Sequence, residues 1–145
     1  MAVRSELLAP FLPPGDHVSV RRTFPDGGTE RCTVIVDKSK VALFADQEWL
    51  AEKEDLLLAA PSSVRRSPDR VTDHRKYLYT GAGAAGETNG CADPDHPDQR
   101  LFTSIQSFTR DRADSRAMGK LIKAYTHQVE QSKACRPEPR EPSRA

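Results

Sequence analysis

His17-Val18-Ser19-Val20-Arg21-Arg22-Thr23-Phe24, Pro25-Asp26-Gly27-Gly28 and Thr29-Glu30-Arg31-Cys32-Thr33-Val34-Ile35-Val36 read as strand, turn and strand, and that reading decides the fold. In the first run Val18, Val20 and Phe24 point one way and Ser19, Arg21 and Thr23 the other, the period of two of a pleated ribbon. Asp-Gly between two strand-like runs favours a hairpin. The return run puts Cys32, Val34 and Val36 on one face. Asp37-Lys38-Ser39-Lys40 makes a second tight turn, and Val41-Ala42-Leu43-Phe44 opens a third strand. Local pairing alone therefore predicts an antiparallel meander.

Outward from it, Ser5 to Leu12 reads as a short helix, with Ser5 as N-cap and Pro13-Pro14-Gly15 as its stop. Gln47 to Ala60 is read as a helical stretch, with acidic Glu48, Glu52, Glu54 and Asp55 outside. The competing pattern is one longer strand from Val41 to Leu50 followed by irregular chain. Pro61 to Asp73 is polar, a connection or an edge. Lys76 to Thr80 is rich in β-formers, and Arg100 to Phe108 makes another strand. Asp111 to Cys135 is the clearest helix. At about 100° per residue Met118, Ile122, Tyr125 and Val129 form one stripe with Leu121 beside it, opposite Arg116, Lys120, Lys123 and His127. These elements predict an α+β fold: an antiparallel sheet of about five strands with the C-terminal helix packed on one face. Residues 1–135 are expected to form one globular domain and 136–145, with three prolines and alternating charge, a disordered tail.

The 145 residues are 37% hydrophobic and 30% charged, with 22 basic against 21 acidic side chains and a net charge of +1. Such a balance creates no long-range field to recruit nucleic acid or an anionic membrane. One tryptophan and three tyrosines, scattered along the chain, make a poor stacking surface for bases. No apolar run approaches the ~18 residues of a membrane span, and Met1 to Leu8 lacks the charged-then-apolar pattern of a signal peptide. On its face this is a cytoplasmic chain.

Motifs that invite chemistry lack their required context. Gly81-Ala82-Gly83-Ala84-Ala85-Gly86 matches GxGxxG after a strand, but a dinucleotide site needs the third glycine to open a helix. Glu87-Thr88-Asn89-Gly90-Cys91-Ala92-Asp93-Pro94 follows instead, so the segment reads as a flexible connecting loop. Cys91, His96, His127 and Cys135 are zinc-binding residue types without the short ligand pairs of structural sites. Asp93-Pro94-Asp95-His96-Pro97-Asp98 offers carboxylates but not the EF-hand pattern, and reads as a rigid turn. No GxSxG elbow or Cys–His motif is present. No catalytic, metal or cofactor residue is assigned, and no cofactor is expected.

The cysteines carry more. Cys91 follows the glycine stretch and Cys135 stands where helix-forming sequence gives way to Arg136-Pro137-Glu138-Pro139. A Cys91–Cys135 disulfide would pin the last helix to the body of the domain, a use of cysteine typical of oxidising compartments. Three buried thiols packing as small apolar residues are the alternative.

Lys76-Tyr77-Leu78-Tyr79-Thr80-Gly81, the cysteine after the glycine stretch, Leu101-Phe102-Thr103 and Ala117-Met118-x-x-Leu121-Ile122-x-x-Tyr125-Thr126 ending in Cys135 resemble a group of actinomycete proteins, exported or membrane-anchored, with an extracytoplasmic cysteine-bearing domain. The likeness runs from about Leu7 to Cys135 and has no catalytic signature. It implies location and disulfides rather than an activity. Such proteins commonly carry a further cysteine upstream, whereas none precedes Cys32 here, so Cys32 is expected to remain a thiol. A start lying upstream of Met1 would supply an export segment or membrane anchor; with Met1 as the start, the chain is cytoplasmic. The expected function is a non-catalytic cell-envelope domain that binds a protein or a small ligand, with no nucleic acid partner. A small cytosolic enzyme or nucleotide-binding protein using Gly81 to Gly86 is the alternative.

Overall fold

In the computed structural model residues 3–109 and 114–135 are described. The hairpin forms where the sequence places it. Strand β1 (Val18–Asp26) pairs antiparallel with β2 (Thr29–Val36), Asp26 stands opposite Thr29, and the Gly28 N–H donates to Asp26 Oδ1 at 2.9 Å. In the next turn Asp37 and Lys38 adopt φ of 51° and 66°, a conformation Asp tolerates. Asp37 Oδ1 also accepts the backbone N–H groups of Asp16 and His17 at 2.9 and 3.0 Å, clipping the chain ahead of β1 to this turn.

Strand β3 spans Lys40–Ala51, which corrects the helical reading of Gln47 to Ala60. Only Leu56–Ala59 (α2) is helical there, capped by the Asp55 carboxylate, which accepts from Leu58 N at 3.2 Å. The longer strand wins because β3 has partners on both sides, so backbone pairing overrides local helix preference.

A second meander follows α3 (Ser62–Arg65): β4 (Val71–Asp73), β5 (Tyr77–Tyr79), β6 (Gly83–Glu87) and β7 (Gln99–Ser107). The two meanders join through β3 and β7, from Leu43 opposite Ser107 to Ala51 opposite Gln99. The sheet is entirely antiparallel, in the order β1-β2-β3-β7-β6-β5-β4. It has seven strands rather than about five. The two extra ones are β4, from the polar connection, and β6, from the glycine stretch read as a flexible loop. That stretch is a buried inner strand: Gly83, Ala84, Ala85 and Gly86 are all buried.

The sheet has a principal core on one face. Cys32, Val34, Leu43, Ala84, Leu101 and Ile105 pack there against Met118, Leu121, Ile122, Tyr125 and Val129 of helix α4 (Ser115–Glu130). Each such large side chain contributes about 1.5–3 kcal/mol on burial. The stripe read from the sequence is thus the packed face, and Arg116, Lys120, Lys123 and His127 are exposed. Asp114 caps α4, accepting from Arg116 N at 2.9 Å and Ala117 N at 3.2 Å. The helix ends at Glu130 and the chain reaches Cys135 by turns. The proposed helix start at Asp111 and the tail 136–145 lie outside the described residues. Helix α1 (Ser5–Leu8) and a 3-10 turn (Ala9–Phe11) bring Phe11 into the same core; the cap position is Arg4 rather than Ser5. On the other face α2 and α3 cover a smaller core of Ala59, Ala60, Val64, Leu78, Ala85 and Phe102.

Strand β1 stands apart, because it is exposed along its whole length on both faces. Pro25 and the paired arginines Arg21 and Arg22 blunt its outer edge against further strand addition.

Helix α4 sits close to β6 because residue 86 has no side chain. A Cβ there would lie 2.6 Å from Thr103 Oγ1 and also collide with Thr126 Oγ1, two hydroxyls hydrogen-bonded at 2.7 Å. Gly86→Ala is therefore expected to destabilise the fold by about 1–3 kcal/mol through overpacking. A lowered denaturant midpoint at unchanged m-value checks it; an unshifted midpoint would mean that the helix can retreat without loss.

Candidate functional site

The last turns of α4 and the segment after it overhang β2 and β3, and a recess opens beneath them. On this face the ladder sets Arg22, Cys32, Ala45 and Ile105 in one row and Glu30, Gln47 and Thr103 in the next. The helix side of the recess is Tyr125, Gln128 and Ser132, and the cavity measures about 240 Å³. Alternation along β3 brings Gln47 to this face with Leu43 and Ala45, and the three-residue step from Tyr125 brings Gln128.

Three polar atoms here are buried and make no hydrogen bond to any described residue: Gln47 Oε1, Tyr125 Oη and Gln128 Oε1. Tyr125 is only 1% exposed. Burial pushes its phenol far above the ordinary tyrosine range, and the neighbouring Cys32 adds to this, so the hydroxyl stays neutral. Gln47 is near enough to temper the rise without forming a well-aligned bond. Buried polar groups without partners are rare, because each costs about 1–3 kcal/mol.

The recess runs into a wider groove of about 410 Å³; Arg22, Glu30, Gln47, Lys133 and Ala134 line both. Trp49 forms one wall, its ring stacked on His96 at 5.0 Å between centroids and 4° between planes. His96 Nδ1 lies 2.9 Å from Gln99 Oε1, which fixes the imidazole against β7. Phe24, 65% exposed, stands at the mouth. Arg22 and Glu30 neutralise one another at 3.1 Å.

Cys91 and Cys135 meet beside this groove. Their sulfurs are 2.04 Å apart, at disulfide distance, and their Cα atoms 4.3 Å apart. Ala92 N donates to Cys135 O at 3.0 Å, and Asn89 N to Glu130 Oε2 at 2.7 Å, so the same junction is tied three ways. Cys32 is buried in the main core and lines the recess.

The other residues singled out from the sequence are not brought together. Gly83 and Gly86 lie inside a sheet between β5 and β7, where no phosphate can approach their N–H groups as it would at an open loop. Among the described residues no group of three His, Cys, Asp or Glu side chains is placed to hold a metal; His96 is stacked on Trp49 and His127 faces solvent. Asp93 Oδ1 accepts from Asp95 N at 2.9 Å, closing the turn. No described helix is long and apolar enough to cross a membrane.

Two further clefts are weaker. One, of about 450 Å³ beside α2, gathers Lys53, Arg70, Arg75 and Arg100 against Glu54, Asp55 and Glu87, and so favours neither charge. The other lies on the sheet face between β2 and α2. There Asp46 accepts from Arg31 Nε and Nη2 at 2.9 and 3.0 Å, and the guanidinium lies 4.1 Å over Phe44. Glu48 shares that cleft, and burial first, then Asp26 and Asp46, raise its pKa.

No family model matches the chain, and neither does any curated protein or solved structure.

Sequence reading did not assemble the recess. Tyr125 was legible only as core, and Gln47 and Trp49 were hidden by the helical reading of their segment. The period of two through Leu43, Ala45, Gln47 and Trp49 is the signal that places both on the helix-facing side.

Tyr125→Phe removes the orphan hydroxyl and keeps the ring, so it is expected to leave stability unchanged or raise it by about 1 kcal/mol. A drop in the denaturation midpoint would mean that the hydroxyl has a partner. Glu48 is disfavoured as an anion in the folded state, so its burden is absent below the ordinary glutamate range and grows as pH rises through the raised value. Glu48→Gln should therefore raise the melting temperature at about pH 7 and have little effect at about pH 4. Equal shifts at both would refute that assignment.

Proposed function

We propose that this chain is a non-catalytic, extracytoplasmic domain of the cell envelope that binds its ligand or partner in the groove under α4. The observation that supports this most is the Cys91–Cys135 pair. It joins the segment after β6 to the segment after α4, closing a loop with a sequence separation of 44 at the rim of the groove. A cross-link at that position is of use where thiols oxidise, and is lost in a reducing cytosol. The groove adds to the reading, since its dominant groups are amides, a phenol held neutral, aromatic rings and a self-neutralised ion pair. Such groups select a ligand by shape and hydrogen bonding.

Peptide mapping of the protein recovered from its native host, alkylated before reduction, tests the compartment. The expected result is a cross-linked 91–135 pair with Cys32 alkylated. Recovery of Cys91 and Cys135 alkylated would refute the reading, as would strong thermal stabilisation by ATP, NAD or zinc. Cys91→Ser should lower stability by up to about 4 kcal/mol in the chain-entropy account. Amide exchange should rise first between Val129 and Cys135. Cys32→Ala should cost less than the cross-link; the reverse order would mean that the cross-link carries little.

A further inference from the structure

We infer that the recess and groove form one binding site for a saccharide of two or more sugar units, a choice of ligand that rests on the binding-domain reading. The three orphan polar atoms set the chemistry. Two are amide oxygens and the third is a neutral phenol. An amide turned over presents N–H where it had C=O, so a partner able both to donate and to accept satisfies this wall in either orientation. A hydroxyl does both. An ammonium only donates and a carboxylate only accepts.

Charge argues the same way. Arg22 is paired with Glu30, and the groove holds both Asp93 and Lys133, so neither sign of ligand is favoured. Shape then selects a class among neutral polyhydroxyl compounds. The groove offers Trp49, held flat by His96, with Phe24 opposite the open side. A pyranose has apolar C–H faces and a polar rim, which match an aromatic wall flanked by amides. The cavity of about 240 Å³ suits one ring, and the adjoining cavity of about 410 Å³ extends the site towards the next. Trp49 is the chain's single tryptophan, so its emission reports on this groove alone.

The test uses the full chain with its cysteines oxidised, titrated with glucose, galactose, mannose, N-acetylglucosamine, maltose, cellobiose, lactose and chitobiose. Trp49 emission and the side-chain amide resonances of Gln47 and Gln128 are followed together. At least one disaccharide should give saturable shifts in both, more tightly than its monosaccharide. Tyr125→Phe and Gln128→Leu should each weaken it about tenfold or more without lowering the melting temperature, and Phe24→Ala should weaken the disaccharide more than the monosaccharide. Absence of saturation up to about 10 mM for every sugar would overturn the inference. So would saturable shifts with tri-alanine amide in place of sugars, or sugar binding that survives both recess substitutions. Failure of all sugars with a 91–135 cross-link still recovered removes the ligand class and leaves the binding-domain reading. Reduced cysteines in the native host remove that reading whatever the sugars do.

Discussion

The pairing of β3 with β7 is the contact on which the rest of the molecule depends. Each meander forms from neighbouring segments, but neither can bury a complete face alone. Their junction brings Ala45 against Ile105, Gln47 against Thr103 and Trp49 against Leu101, and so builds the floor on which α4 lies. It is also the long-range step, since residues near 45 must find residues near 105 before any of that area is covered. The length of β3 follows from this: its second half is a strand because β7 supplies the other edge.

The seat of α4 is a set of close approaches more than a hydrophobic stripe. Ala84 and Gly86 on β6 let the helix descend, Thr103 and Thr126 bond where it touches, and Tyr79 packs against Gly119, where a Cβ would stand 2.8 Å from the ring. The Lys123–Asp73 ion pair and the Lys76–Glu130 pair at 3.4 Å add exposed or half-exposed ties that contribute little each. Glu130 has a second duty, since it also holds Asn89 N. Small side chains set the distance, and the polar contacts set the register.

Elements whose periodicity matched their surroundings were legible in the sequence. The β1–β2 hairpin, the strand through Tyr77 and Leu78, the strand through Leu101 and Ile105, and the apolar stripe of α4 all lie where their patterns place them. What failed has one physical origin. Gly83 to Gly86 has the composition of a loop because a helix must come close to it, and small residues look alike whether they are mobile or tightly packed. Gln47 to Ala51 has local helix character, but its fate is decided by β7, about fifty positions away in sequence. The recess was illegible for a related reason. It joins side chains from three elements, and only their register shows that Gln47, Tyr125 and Gln128 converge.

That convergence has a cost that the fold could have avoided. A leucine at 47 or 128 and a phenylalanine at 125 would fill the same volumes with no orphan polar atom, and cores tolerate such exchanges when size is kept. The nearby face shows the cheaper solution in use, with Val34, Leu43 and Ile105 closing completely over one another. Stability therefore does not explain the amides and the phenol, and neither does local helix or strand preference, which none of the three positions needs. Their placement at the one point where α4 overhangs the sheet edge, next to the cross-linked rim, puts the unspent hydrogen bonds where a ligand can enter and the wall cannot move. A site of this kind trades a little folding free energy for a rigid, dry set of partners, which is how proteins hold weakly polar ligands without relying on charge.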